Sequence, residues 1–423
     1  MNKNFLALGL AAALLAPQVA GAEGFAINEW SAEGVAMGGA RMFAEDDAAN
    51  VAYNPASITK VKGEVMKSSY TYLSPHGNYK LYDYKLYDSN NDEIKGEPTH
   101  NKVHAGWAVG SYYVRQINDK EWFGIGAFPR FAMVSEFERA SKASTNAFFS
   151  KLNGVSVTPT YAHKFDKKWS AAVGAEINYV GLELQKNYYH PVAQMNVGAT
   201  QTEGESYALG WNAAANYAFD DKNEIGVVYR SRITHSLEAD FKMYPASGGK
   251  ITADAYGVVT LPDSWDIGYN HKFDKKTRLE LKATRTNWST YDALNISLSN
   301  PSVPGVLPSN VDSAKNWSNG WRYAIGLEHN FSDKYAAMAG FAFDEASIPY
   351  NGGDFMVPTG LRRTYSIGAR YNDKKQTVAV ALGWMDVGNL DFEGHPEKGD
   401  AYSSAHAYDS FTKIASISYQ RKF

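Results

Sequence analysis

The chain has 423 residues, no cysteine and a formal net charge of −3. Without cysteine there is no disulfide framework, so an exported chain of this kind must be stabilised by packing and closure. A charge this small gives no electrostatic reason to expect a nucleic-acid partner, and no segment after residue 22 approaches the ~18 continuous apolar residues that a spanning helix needs.

Residues 1–22 read as a secretory leader. Lys3 supplies the positive start, Phe5 to Ala16 the apolar run and Ala20-Gly21-Ala22 the small-residue cleavage site. The run is too short to serve as a retained anchor, and no Cys follows to carry a lipid. The mature chain is expected to begin at Glu23. Residues 23–63 come next, rich in Gly and Ala and without strand alternation; they end on Asn54-Pro55-Ala56 and a short run beyond it. Such a segment either hangs free in the periplasm or folds back into the bore of whatever follows.

From residue 64 to residue 423 the pattern is that of a transmembrane β-barrel. Six short turns recur: Asn118-Asp119-Lys120, Phe165-Asp166-Lys167, Phe219-Asp220-Asp221, Phe273-Asp274-Lys275, Phe331-Ser332-Asp333 and Tyr371-Asn372-Asp373. Long polar loops fill the alternate gaps. Between them, Leu279, Leu281 and Ala283 sort onto one face against Arg278, Glu280 and Lys282, and Val173 and Ile177 sort against Gly174, Glu176 and Asn178.

A soluble sandwich also alternates. The turn-end aromatics suit an interfacial girdle, however, and the inward charges need a wet or hydrogen-bonded interior. The terminal Phe423 resembles the signal read by the barrel assembly machinery of the outer membrane. About fourteen strands are counted, spanning 64–72, 104–114, 121–137, 155–165, 170–186, 205–219, 224–235, 264–273, 277–288, 319–331, 335–345, 363–372, 376–388 and 410–423. The even number suits a bacterial barrel, and a barrel of this width leaks unless plugged.

Residues 23–63 and several barrel segments resemble the FadL family of outer-membrane transporters for long-chain fatty acids and other hydrophobic compounds. The match runs through Gly24-Phe25-Ala26-Ile27-Asn28-Glu29, Gly38-Gly39-Ala40, Asp46-Asp47-Ala48 and Asn54-Pro55-Ala56. It continues in Gly210-Trp211-Asn212-Ala213, Tyr229-Arg230-Ser231, Leu261-Pro262-Asp263-Ser264-Trp265, and Phe343-Asp344 with Pro349 and Arg362. The resemblance implies a monomeric barrel with residues 23–63 as an internal hatch. It also implies capture of ligand among the external loops, an internal apolar site, and sideways exit at a kink in the third strand, without a cofactor.

The kink candidate is Gly124, Gly126, Phe128 and Pro129, where proline removes a ladder donor and glycine marks a bulge. Asn54 and Pro55 are expected to lock the hatch near it. Arg130, Arg230, Arg362 and Arg363 are the candidates for a fatty-acid carboxylate, with paired lumenal charges as the rival for the inward basic residues and lipopolysaccharide contact for the last two. Glu45-Asp46-Asp47 reads as turn capping rather than a cation site. His163, His271 and His329 read as girdle residues rather than metal ligands, since their strands are not neighbours. No catalytic grouping emerges, so a barrel enzyme, an adhesin and a channel for aromatic hydrocarbons remain the alternatives.

Overall fold

The computed structural model describes residues 24–82, 96–103, 105–190 and 195–423. The expected leader, Glu23 and the middle of the first external loop lie outside the described residues. Among those described, fourteen antiparallel strands form one closed wall. They are β1 (Glu64–Tyr82), β2 (Gly106–Gln116), β3 (Glu121–Glu136), β4 (Phe149–Lys164), β5 (Trp169–His190), β6 (Met195–Ala218) and β7 (Asn223–Arg230). The ring continues with β8 (Ser264–Lys272), β9 (Thr277–Thr286), β10 (Gly320–Asn330), β11 (Tyr335–Asp344), β12 (Arg362–Asn372), β13 (Gln376–Val387) and β14 (Ser404–Lys422). Each strand pairs with the next, and β14 returns to β1 from Val65↔Lys422 to Tyr82↔Ser404, so the ring closes on itself.

The sequence alternation sets which side faces lipid. Leu281 is 43% exposed and Ile177 46%, whereas Arg278, Glu280, Lys282, Glu176 and Asn178 are buried inside. An apolar exterior around a polar, charged interior is the reverse of a soluble sandwich. At the short-turn end, Phe165, Phe219, Phe273 and Phe331 are exposed. His163, His271 and His329 lie edge-on to Phe165, Phe273 and Phe331, with ring centroids 4.8, 4.7 and 4.8 Å apart. They stand on β4, β8 and β10, too far around the ring to share a ligand.

The turns are built alike. The Asp166 carboxylate accepts the N–H groups of Lys168 at 2.7 Å and Trp169 at 2.8 Å, and Asp220, Asp274 and Asp373 repeat the arrangement. These backbone donors favour the ionised form and hold Asp166, Asp274 and Asp373 below the usual carboxylate range; at Asp220 the Asn223 side chain contributes most.

At the opposite end the strands run well past the alternation. β1 reaches Tyr82 rather than residue 72, and β5 and β6 have 22 and 24 residues. Segments expected as loops contain further strands, Ile233–Pro245, Ile251–Leu261, Ala293–Ser299 and Asn310–Ala314. In Ile233–Pro245 and Ile251–Leu261 the alternation persists, with Leu237, Phe241, Ala253 and Val259 buried and Thr234, Ser236, Glu238 and Asp254 exposed between such residues.

The segment from Gly24 to Val61 lies almost wholly buried against the inward faces of the strands. It holds α1 (Ala32–Ala36), whose Ser31 hydroxyl accepts the Gly34 N–H at 3.1 Å, α2 (Asn50–Tyr53), and a 3-10 helix over Pro55–Lys60. Small residues of the wall make room for it. A Cβ added at Gly340 would lie 2.2 Å from the Met37 carbonyl carbon, and Ala32 N–H donates to Ser418 Oγ at 2.8 Å. A buried ion chain ties the segment to four strands. It runs Glu33–Lys67 (2.7 Å), Lys67–Asp47 (2.9 Å), Asp47–Arg41 (3.1 Å) and Arg41–Glu328 (3.0 Å), and Glu328 also holds Arg278 (2.7 Å) and Arg370 (2.6 Å). Asp46 accepts Lys62 N–H at 2.9 Å and pairs with Lys422 at 2.5 Å, so the acidic run is occupied by protein cations and donors.

Candidate functional site

The wall is interrupted beside β3. Its ladder with β2 ends at Ser111↔Ala127, although β2 continues along β1 to Gly106 and β3 continues along β4 to Glu136. The β3–β4 register shifts between Pro129 and Phe131, which puts Arg130 at a bulge. From Phe128 onward β3 therefore offers unpaired backbone on its β2 side, and the start of the described chain supplies partners. Ile27 N–H donates to Arg130 O at 2.8 Å, Ala132 N–H to Phe25 O at 2.9 Å, and Trp30 Nε1–H to Pro129 O at 2.6 Å.

Two expectations need correction here. Gly124 and Gly126 remain in the ladder, opposite Val114 and Tyr112; their missing side chains leave space for Val51 of α2, whose methyl carbons would lie 2.8 and 3.0 Å from added Cβ atoms. The interruption belongs to Phe128 and Pro129 and the bulge after them. Asn54 does not meet the interruption either. Its amide donates to Asn216 Oδ1 on β6 at 2.7 Å and its Oδ1 accepts Ala56 N–H at 3.1 Å, while Asn216 bonds Ser57 Oγ at 2.9 Å. An Asn-Pro turn caps the 3-10 helix and is then held by the nearest inward amide, which lies three strands away from β3.

Arg130 and Arg230 are brought together. Both are buried and line one recess with Trp30, Phe131, Asp266 and Thr284, behind the interruption. Arg130 Nη1 bonds both oxygens of Glu176 at 3.0 and 2.8 Å. Arg230 pairs with Asp266 at 2.6 Å, Lys282 joins the same carboxylate at 3.1 Å, and the Arg230 guanidinium stands 5.5 Å from the Trp30 ring centre. Three cations against two carboxylates leave this cluster one positive charge in excess.

Arg362 lies higher. It donates to Thr359 Oγ1 at 2.8 Å through Nε and to Gly24 O at 3.0 Å, and it borders a second recess, with a cavity volume of about 70 Å³, walled by Tyr79, Met133, Met356, Met385 and Phe411. Between the two recesses Phe25 is ringed by Trp288, Tyr291, Trp317 and Phe131, with centroids 4.7, 5.4, 5.8 and 6.0 Å away. Arg363 takes no part in either recess. Strand parity sends it outside, where its side chain is 44% exposed and pairs with Asp386 at 3.3 Å.

Sequence reasoning missed the aromatic ring around Phe25 and the Asp266 partner of Arg230. Trp288, Tyr291 and Trp317 come from irregular segments with no periodic signal, Phe131 from the bulged part of β3, and Glu176 was visible as an inward charge able to pair with a basic residue.

A family model described as "Outer membrane protein transport protein (OMPP1/FadL/TodX)" matches residues 13–419. The chain belongs to the FadL family of outer-membrane proteins. The long-chain fatty acid transport protein of Escherichia coli (strain K12) is 23% identical over 421 residues, covering 90% of this chain and 91% of that protein. Outer membrane protein P1 of Haemophilus influenzae is 24% identical, covering 90% and 89%. Among solved structures, a Pseudomonas aeruginosa FadL homologue superposes with a TM-score of 0.82 at 18% identity, covering 95% of this chain and all of that one. The Pseudomonas putida toluene transporter TodX gives 0.68 at 15% identity, covering 95% and 100%. The chain is thus an outer-membrane β-barrel of a family whose relatives include transporters and channels.

Proposed function

We propose that this chain carries long-chain fatty acids, or amphiphiles with the same long apolar tail and anionic head, passively across the outer membrane. The observation that carries the reading is the recess in which Arg130 and Arg230, in a cluster that Lys282 leaves one positive charge in excess, meet apolar walls directly behind the interrupted β2–β3 ladder. A carboxylate would complete the charge there. The tail supplies most of the affinity, since each buried methylene contributes about 0.8 kcal/mol. In this reading ligand enters the methionine-lined recess beside Arg362, moves to the arginine recess as Phe25 withdraws, and leaves sideways between β2 and β3. Residues 24–63 act as the hatch. Arg363, on the outer surface, is assigned to lipopolysaccharide rather than to ligand, and the barrel works as a monomer without chemical turnover.

The four rings around Phe25 favour a second reading, uptake of aromatic hydrocarbons by the same route. Titrating the detergent-solubilised protein with an acyl series and with toluene separates the two. Under the fatty-acid reading Kd falls about fourfold per added methylene. Replacing Arg130 and Arg230 by Gln then weakens oleate at least tenfold and leaves toluene unchanged. An affinity flat in chain length, with toluene bound tightly, would reverse the choice.

A further inference from the structure

The wall has a second interruption, on the other side of the same chamber. β5 holds β6 along its length, with Ile177↔Leu209 and Asn178↔Ala208 in register. The opposite edge of β6 pairs with β7 only as far as Asn212↔Arg230, and with the strand Ile233–Pro245 only from Glu205↔Glu238 outward. Residues Ser206 to Trp211 carry no ladder pairing on that edge. Ser231 alone bridges it, donating its N–H to Trp211 O at 2.9 Å and accepting Trp211 N–H on its hydroxyl at 2.9 Å.

Both faces at this place depart from the rest of the wall. Leu209 at 77% and Tyr207 at 71% are the most exposed large apolar side chains among the described residues. On the inner face Ala208 and Gly210 are only half-buried, although Asn212, Ala214 and Asn216 below them are buried. The hollow left by Gly210 is filled by Ile233, whose Cγ1 would lie 2.8 Å from an added Cβ. Above it, His235 is tied to Asn178 at 2.8 Å and its buried Nδ1 has no partner.

The space behind belongs to the chamber already described. Val180, Leu182, Ile233 and Leu237 share one apolar cluster with Phe25 and Phe131. Glu176, the partner of Arg130, stands opposite Gly210 in the ladder. Ten residues of tilted strand separate Ala208 from the end of β6, a height of roughly 23 Å above the turns, which falls in the outer part of a bilayer band about 25 Å tall.

We propose that this interruption is a second lateral port, stoppered by Ile233, through which the apolar tail of an amphiphile passes between the chamber and the outer leaflet. The proposal rests on the chamber being a transport site, so the test separates the two. The chain has no cysteine, so Tyr207→Cys with Ser236→Cys can bridge the second interruption, and Val109→Cys with Pro129→Cys the first. Uptake of radiolabelled oleate is measured in whole cells before and after oxidation. Bridging the second interruption is expected to slow uptake at least threefold, with recovery on reduction. Uptake stopped by the first bridge and untouched by the second overturns the port alone; uptake indifferent to both overturns the transport reading as well. Ile233→Ala serves where a bridge fails to form. It should raise uptake at least threefold, and an unchanged or lower rate overturns the port.

Discussion

Ile27 donates its backbone N–H to the carbonyl oxygen of Arg130 at 2.8 Å, in the place where β2 would bond an uninterrupted β3. Phe25 to Ile27 form a surrogate strand of three residues, joined by one bond on each side of Phe131. Ile27→Pro removes a donor and leaves the rest of the wall unaltered. Amide exchange at Ala132, whose N–H is bonded to Phe25 O, should accelerate at least tenfold, while exchange at Gly126 within the intact ladder stays unchanged.

Deleting residues 24–60 should leave a folded barrel with a wide aqueous bore. The inward face already carries Lys67, Glu280, Arg278 and Glu328, which water can solvate once the segment is gone. Planar-bilayer recordings should give a large, steady single-channel conductance that the intact protein lacks.

Arg41 stands between Asp47 and Glu328 at 3.1 and 3.0 Å, with about 2% of its side chain exposed. Arg41→Ala takes one cation from Asp47, which keeps Lys67, and one from Glu328, which keeps Arg278 and Arg370, and should loosen the N-terminal segment by about 1.5–3 kcal/mol. Cleavage between residues 24 and 60 by added protease reports it. The double change Arg41→Ala with Asp47→Ala should cost less than the sum of the two single changes, because the pair acts as one unit.

Strong acid should release the turns. Asp166, Asp220, Asp274 and Asp373 are held below the usual carboxylate range in the folded barrel by donors that exist only there. A depressed folded pKa contributes stability that is complete above the unfolded value of ~4 and disappears as pH falls through the folded one. Exchange of the Lys168, Lys222 and Lys276 amides should therefore quicken below pH ~4, and Asp274→Asn should remove that dependence at its own turn.

Much of the barrel was legible in the sequence because lipid and lumen impose opposite demands on neighbouring residues. Leu279, Leu281 and Ala283 against Arg278, Glu280 and Lys282 could be sorted by parity alone. The same parity placed Arg363 outside and Arg362 inside, though their common charge made them look equivalent. Residues 236–245 and 251–261 are expected as loop, yet they alternate as regularly as the wall, with Leu237, Phe241, Ala253 and Val259 turned inward and mostly polar residues outward. Gly124 and Gly126 read from sequence as marks of a bulge, whereas both stay in the ladder and make room for another segment. What they make room for, Val51, depends on a contact between residues some seventy positions apart, and no local pattern carries that. Asn54 bonding Asn216 is hidden for the same reason.

The seam between first and last strands has a consequence for biogenesis. Ala32 and Ala48 donate their N–H groups to Ser418 and Gln420 of β14, while Lys67 and Thr71 of β1 reach Asp47 and the Glu29 carbonyl. The segment that precedes β1 thus bonds to both lips of the seam. Its docking should therefore favour the closed ring over an open sheet, since closure brings its partners on the two strands together.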